Sequence, residues 1–145
     1  MKKCYEVMTK DPVCCLPTDT VVKAAELMKT ENIGSVLVIE NKQTQKLAGI
    51  VTDRDLALHI VATGLDAKST KLEAVMTRNV VTCHAEDDLQ RALNSMSDYR
   101  LRRIPIVDNN NKIVGIISQA DVATRIDQPE KAYQVVREIS QAVWQ

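Results

Sequence analysis

Two short segments of the chain end an apolar run on a hydroxyl residue and place an aspartate three positions later. Thr52 is followed by Asp55, and Ser118 is followed by Asp121. This spacing suits the start of a helix, where free backbone N–H groups favour an anion. The hydroxyl can donate a hydrogen bond to a phosphate oxygen, and the carboxylate can accept hydrogen bonds from both hydroxyls of a ribose 2′,3′-diol. Each segment is therefore a candidate for part of a nucleotide site.

The same residues also suit a purely structural role. Thr and Ser are favoured N-caps, and an aspartate in the first helical turn interacts favourably with the helix dipole. Because a duplicated fold also duplicates its caps, repetition alone does not decide between the two interpretations.

The two segments belong to a repeat with a period of about 68 residues. Val7-Met8-Thr9 aligns with Val75-Met76-Thr77, and Cys15 aligns with Cys83. The shift becomes about 66 after a polar, turn-prone stretch, where a hairpin tolerates deletion. An internal repeat of this length predicts two copies of one folding unit.

Each copy reads as β-α-β-β-α. Thr18 is the expected N-cap of the first helix, and the turn at Thr52 leads into a helix from Asp55 to about Ala62. Nearly continuous apolar strands predict an α/β fold with both sheet faces covered, the two copies facing each other about a pseudo-twofold. The expected strands are residues 35–40, 47–52, 103–108 and 112–118. The expected divisions of the chain are a first repeat over 1–66, a second repeat over 67–127 and a C-terminal helix within 128–145.

The last helix is predicted over residues 129–144, and its apolar stripe consists of Ala132, Val135, Val136, Ile139, Ala142 and Val143. This stripe could pack on its own module or contribute to a homodimer, and both alternatives stay open.

Composition narrows the class of protein. Nineteen Lys and Arg balance nineteen Asp and Glu, which argues against a general nucleic-acid binder. The apolar runs are too short for a membrane span, and the first residues do not resemble a signal region, so we expect a cytoplasmic protein. The four cysteines are expected to be reduced and structural, and they lack the ligand spacing of a zinc site. The sequence also lacks a catalytic constellation, so we do not expect an enzyme.

Arginines add a second observation in favour of a nucleotide site. Arg102 and Arg103 directly precede an apolar strand, whereas the first copy has Gly34 and Ser35 at the aligned positions. A pseudo-twofold would bring these arginines toward the Thr52 turn of the other copy, where they could bind phosphate.

Residues 5–126 resemble a pair of cystathionine beta-synthase (CBS) domains, known as a Bateman module. The resemblance is carried by the two "VMT" openings, "GIVTDRDL", "RRIPIVD" and "GIISQADV". It implies β-α-β-β-α repeats paired through their sheets and homodimers shaped as flat discs. It also implies clefts between the repeats that bind AMP, ADP, ATP, NAD or S-adenosylmethionine, usually to regulate another protein.

The resemblance implies roles for individual residues in two clefts. In one cleft Thr52 lies near phosphate or ribose, Asp55 binds the ribose hydroxyls, and the arginines hold phosphate. The residues implied for this cleft are Thr52, Asp55, Arg102, Arg103, Val81 and Thr82, the last two lining the adenine pocket. The residues implied for the related cleft are Ser118, Asp121 and Arg54, with Val13 and Cys14 at its base.

The function expected from the sequence is a stand-alone, homodimeric sensor of an adenine nucleotide or NAD that acts on an unidentified regulated protein. An alternative is a ligand-free interaction or stress-response protein. A further alternative is a redox or metal protein acting through its cysteines.

Overall fold

The computed structural model describes residues 2–141 of the chain. It confirms the predicted α/β class, because the described residues form two sheets with helices packed on them. The helices are α1 Cys4–Val7, α2 Val21–Glu31, α3 Asp53–Leu56, α4 Leu89–Asp98, α5 Gln119–Arg125 and α6 Pro129–Ser140, with a π-helical turn at Ala57–Val61 and a 3₁₀ turn at Leu72–Ala74. The strands are β1 Thr9–Lys10, β2 Cys14–Cys15, β3 Ser35–Ile39, β4 Leu47–Thr52, β5 Cys83–His84, β6 Arg103–Val107 and β7 Ile113–Ser118.

The chain divides into two compact units. The continuous unit is Pro12–Val80, and the split unit joins the residues up to Asp11 with those from Val81 onward. The units do not coincide with the repeats of the sequence, because residues up to Asp11, which open the first repeat, belong to the split unit, and residues 67–80, which open the second, belong to the continuous unit.

The continuous unit has a three-stranded sheet in the order β2-β3-β4. Strands β3 and β4 form the predicted hairpin, with Ser35 opposite Thr52 and a register irregularity between Val38 and Ile39. Helix α2 begins after Thr20, whose hydroxyl accepts a hydrogen bond of 3.3 Å from Lys23 N. The predicted N-cap at Thr18 is therefore wrong by two residues. A core forms between sheet and helices because the inward-facing residues are apolar and buried.

The split unit has a four-stranded sheet in the order β1-β7-β6-β5. Its hairpin of β6 and β7 places Arg103 opposite Ser118 and repeats the irregularity, here between Ile106 and Val107. The hairpins of the two repeats thus share their register as well as their sequence pattern.

Helix α6 packs against α4 and α5 of the split unit. Its buried residues Ala132, Val135 and Ile139 lie in that unit's core, which is the first of the two alternatives considered for this helix. The sequence also predicts Ala142 and Val143 in this stripe, and these two residues lie outside the described residues.

The Val-Met-Thr segments explain the division into units. Thr9 pairs with Ile116 of β7, and Thr77 pairs with Ile50 of β4. In the latter pair two backbone hydrogen bonds of 3.0 Å join the residues. Each segment therefore pairs with a strand that belongs to the other repeat of the sequence.

Gly49 and Gly115 permit this pairing. A Cβ atom on Gly49 would lie 2.8 Å from both the Met76 sulfur and the Thr77 carbonyl oxygen. A Cβ atom on Gly115 would collide with the Met8 side chain in the same way. The close approach that these glycines allow is therefore to a neighbouring segment of this chain.

None of the helices among residues 2–141 is both long enough and apolar enough to cross a membrane.

Candidate functional site

The turn at the end of β4 holds Asp55 in a fixed position. Thr52 is the N-cap of α3, and its hydroxyl accepts a hydrogen bond of 3.1 Å from Asp55 N. The Asp55 carboxylate returns the bond, because its Oδ2 accepts from Thr52 N at 2.9 Å. This reciprocal pair is a capping box, so the structural role considered for these residues is real.

Asp55 nevertheless keeps a carboxylate oxygen for other partners. The residue is half-buried, and within residues 2–141 its Oδ1 accepts no hydrogen bond and joins no ion pair. The capping box and a ligand-binding role are therefore compatible at this turn, since they use different oxygens of one carboxylate.

The turn at the end of β7 forms the same capping box. Ser118 is the N-cap of α5 and accepts a hydrogen bond of 3.2 Å from Asp121 N, while Asp121 Oδ2 accepts from Ser118 N at 2.9 Å. Asp121 is more deeply enclosed than Asp55, with an exposed fraction of 7%. Its Oδ1 accepts a hydrogen bond of 3.4 Å from the Thr9 hydroxyl and lies 3.5 Å from Arg125 Nε. Both oxygens of this carboxylate are therefore engaged within the split unit.

Three residues predicted for the cleft of Ser118 and Asp121 belong to the continuous unit and lie at the same end of its sheet as Thr52; they are Val13, Cys14 and Arg54, and their meeting with Ser118 and Asp121 stays a prediction. Strand β2 runs parallel to β3, with Cys14 opposite Leu37, and the Val13 carbonyl accepts a hydrogen bond of 3.2 Å from Leu37 N. Parallel β2 and β3 therefore begin where antiparallel β4 ends, so Val13 and Cys14 lie near the level of Thr52. Arg54 is exposed in the first turn of α3.

The split unit repeats this arrangement with different side chains. Arg103 lies opposite Ser118, and the Arg102 carbonyl accepts a hydrogen bond of 2.8 Å from Gln119 N. Val81 and Thr82 are half-buried and lead into β5, which runs parallel to β6. The backbone of Arg102 and Arg103 thus lies beside the hydroxyl–aspartate turn of its own repeat. Their meeting with Thr52 and Asp55 stays a prediction.

Two stretches of the chain, residues 4–62 and 72–128, match the family model described as the CBS domain. The chain belongs to the CBS domain family.

Curated relatives of this CBS protein include both small and large proteins. CBS domain-containing protein YhcV of Bacillus subtilis is 35% identical over 140 residues, which are 97% of this chain and 96% of that protein. Inosine-5′-monophosphate dehydrogenase of Methanocaldococcus jannaschii is 36% identical over 132 residues, which are 91% of this chain. This chain spans 25% of the length of that dehydrogenase.

A solved structure of similar fold carries ligands. It is the CBS domain pair of protein MJ0100 in complex with 5′-methylthioadenosine and S-adenosyl-L-methionine. The two structures have a TM-score of 0.75 and 26% sequence identity, and the match covers 85% of this chain and 94% of the other. This similarity supports a ligand-binding, regulatory class of module.

The cysteines of the CBS repeats are free thiols. Cys15 and Cys83, which align in the repeat, are both 3% exposed. Burial raises the pKa of Cys4 to about 12 and the pKa values of Cys14 and Cys15 to about 11, and it also raises the pKa of Cys83. These thiols therefore stay protonated near neutral pH and are weak nucleophiles. Residues 2–141 bring together no group of three or more His, Cys, Asp or Glu side chains that could hold a metal ion.

Sequence reasoning missed Thr9 and Arg125, the two residues that contact Asp121 Oδ1. The i,i+4 spacing of Asp121 and Arg125 on one helix was a usable signal for the ion pair. The contact from Thr9 had no local signal, because it depends on the pairing of β1 with β7.

Proposed function

We propose that this chain is a regulatory module that binds an adenosine-containing ligand, namely AMP, ADP, ATP or NAD, and transmits the resulting conformational change to a partner protein. The observation that carries the proposal is the state of Asp55: the capping box with Thr52 fixes the side chain, while Oδ1 keeps its capacity to accept hydrogen bonds. A fixed carboxylate with a free oxygen is preorganised for a sugar diol.

In the proposed site, Asp55 accepts hydrogen bonds from the ribose hydroxyls and Thr52 lies near the ribose or phosphate. Arg102 and Arg103 bind phosphate, for which a guanidinium is well suited. Val81 and Thr82 line the adenine pocket. The ligands of MJ0100 support an adenosine class, since 5′-methylthioadenosine and S-adenosylmethionine both contain adenosine.

The proposed module regulates and does not catalyse. A ligand can act only by favouring one conformation of the chain over another, so the output requires a partner that distinguishes the two. We also propose that the module is a homodimer in the cytoplasm. Free cysteines are typical of a reducing compartment, and exposed Leu58 and Val61 on the π-helical turn offer apolar surface to a second copy.

The test is calorimetric titration of the purified chain with AMP, ATP, NAD, S-adenosylmethionine and 5′-methylthioadenosine. Asp55→Asn retains an acceptor for Thr52 N but removes the charge, so we expect its affinity for a binding ligand to fall about tenfold to a hundredfold. The matched control is Asp53→Asn, which removes an exposed carboxylate two residues earlier and should leave affinity unchanged.

Equal affinities of the wild type and Asp55→Asn would remove Asp55 from the site. Absence of binding to all five compounds would instead favour the alternative function, a ligand-free interaction or stress-response protein.

A further inference from the structure

We propose that Asp121 serves as a structural latch and does not bind a ribose, so that each chain takes a single adenosine ligand, at Asp55. The latch consists of Thr9, Asp121 and Arg125. The part of this inference that concerns the ligand rests on the proposed function, whereas the latch itself does not.

The hydrogen bonds of Asp121 leave little capacity for a ligand. Oδ2 accepts from Ser118 N at 2.9 Å and lies 3.0 Å from the Ser118 hydroxyl, which also donates to it. Oδ1 accepts a hydrogen bond from the Thr9 hydroxyl and forms an ion pair with the Arg125 guanidinium. A ribose diol would have to displace Thr9 and Arg125 from a carboxylate that is 7% exposed, and it would leave a buried charge without its cation.

Arg125 connects this carboxylate to the segment that opens the chain. Its Nη1 donates to the Val7 carbonyl at 3.1 Å and to the Met8 carbonyl at 3.4 Å. These carbonyls lie at the C-terminal end of α1, where a cation is favoured. One guanidinium thus holds Asp121 and the segment that leads into β1, so releasing Asp121 would also loosen that segment.

The equivalent positions of the continuous unit do not form a latch. Thr77 aligns with Thr9 and makes the same backbone pairing, but its hydroxyl forms no hydrogen bond with Asp55. His59 aligns with Arg125, is exposed, and lies in the π-helical turn rather than in an α-helix. Asp55 and Asp121 therefore share a motif and a capping box, but among residues 2–141 a cation and a hydroxyl contact the second oxygen of Asp121 and not that of Asp55.

The first test is the stoichiometry of binding. Titration of the wild type with AMP or S-adenosylmethionine should give one equivalent per chain, and Asp55→Asn should weaken that single event. Two equivalents in the wild type, of which Asp55→Asn removes only one, would overturn the inference.

The second test needs no ligand and decides the latch even if none of the probes binds. Native protein is labelled with a carbodiimide and glycine ethyl ester, and modified aspartates are located by tandem mass spectrometry. Asp55 should label several-fold faster than Asp121. The Thr9→Val/Arg125→Ala variant should raise the Asp121 rate, whereas the matched Thr77→Val/His59→Ala variant should leave the Asp55 rate unchanged.

Equal labelling of the two aspartates in the wild type would overturn the latch, as would an Asp121 rate that does not respond to loss of Thr9 and Arg125. If the probes do not bind but the labelling follows the expected pattern, the proposed function fails while the latch stands.

Discussion

Thr52–Asp55 at the end of β4 and Ser118–Asp121 at the end of β7 are two versions of one turn. In both, the backbone N–H of the hydroxyl residue donates to the aspartate Oδ2 at 2.9 Å. The versions differ in their neighbours: Arg103 lies opposite Ser118, whereas Ser35 lies opposite Thr52. The helix that follows also differs, being α-helical to Arg125 in one copy and π-helical from Ala57 in the other.

This difference shows which part of the repeat is constrained. The capping box satisfies backbone groups that every copy of the fold must satisfy, so both copies retain it. The other carboxylate oxygen, Oδ1, takes no part in the capping box, and the residues around it differ between the two copies. A π-helical turn of the kind that follows Asp55 is frequent at functional sites, which fits the ligand site proposed at Asp55.

We expect the largest difference in stability between equivalent positions of the two units to lie in their cores. Met28 and Met96 align in the repeat, with exposed fractions of 8% and 0%. Met96→Ala should lower the free energy of unfolding by about 2–5 kcal/mol because it leaves a cavity, and Met28→Ala should cost less because solvent reaches its site. Urea denaturation of both variants measures the difference. If Met28→Ala lowered the free energy of unfolding more than Met96→Ala, the expectation that the less exposed methionine contributes more would be contradicted.

A smaller effect is expected at the two glycines. Gly49→Ala would place its Cβ 2.8 Å from the Thr77 carbonyl oxygen, whereas the Cβ of Gly115→Ala would lie 3.0 Å from the Thr9 carbonyl oxygen and closest to the flexible Met8 side chain. We expect losses of about 1–3 kcal/mol, larger for Gly49→Ala, because overpacking against backbone relaxes poorly. Thermal unfolding is the measurement.

Removal of the obstructing side chain sharpens the glycine experiment. Adding Met8→Ala should relieve much of the defect of Gly115→Ala, while Met76→Ala should leave much of the defect of Gly49→Ala. Equal relief in both units would show that the Thr77 carbonyl is not the obstacle.

The smallest effect is expected at the aligned pair Arg125 and His59. Arg125→Ala removes a half-exposed ion pair and two hydrogen bonds to backbone carbonyls, so we expect a loss of about 1 kcal/mol. His59→Ala should be close to neutral, since the imidazole is exposed. Chemical denaturation of the two variants side by side compares them, and losses of equal size would contradict the asymmetry between the turns.

Local patterns predicted much of the fold. We could predict the four long strands and both hairpins because apolar runs and turn residues are local patterns. The buried positions Cys15 and Cys83 were predictable because they align in the repeat. The N-cap was misplaced because Thr18 and Thr20 offer the same hydroxyl chemistry. Only the path of the backbone, with Asp19 bonded to Leu16 N, chooses between them.

Long-range pairings were not predictable in the same way. The partner of Thr9 in β7 lies more than a hundred positions away, and nothing near Thr9 specifies it. The engagement of Asp121 by Thr9 depends on that pairing and had no local signal, whereas the i,i+4 spacing of Asp121 and Arg125 did signal the ion pair. The hydroxyl–aspartate spacing predicted both turns, but the availability of each carboxylate followed only from the packing around it.

The crossed pairing of the Val-Met-Thr segments also fixes an order of events during synthesis. Residues 12–80 contain their own Thr77 segment, so the continuous unit can complete its sheet and core as soon as that stretch has left the ribosome. The Thr9 segment is synthesised before residues 12–80, yet its partner strand β7 is synthesised after them. The Thr9 segment therefore stays without its β7 partner until the residues up to Ser118 have been synthesised.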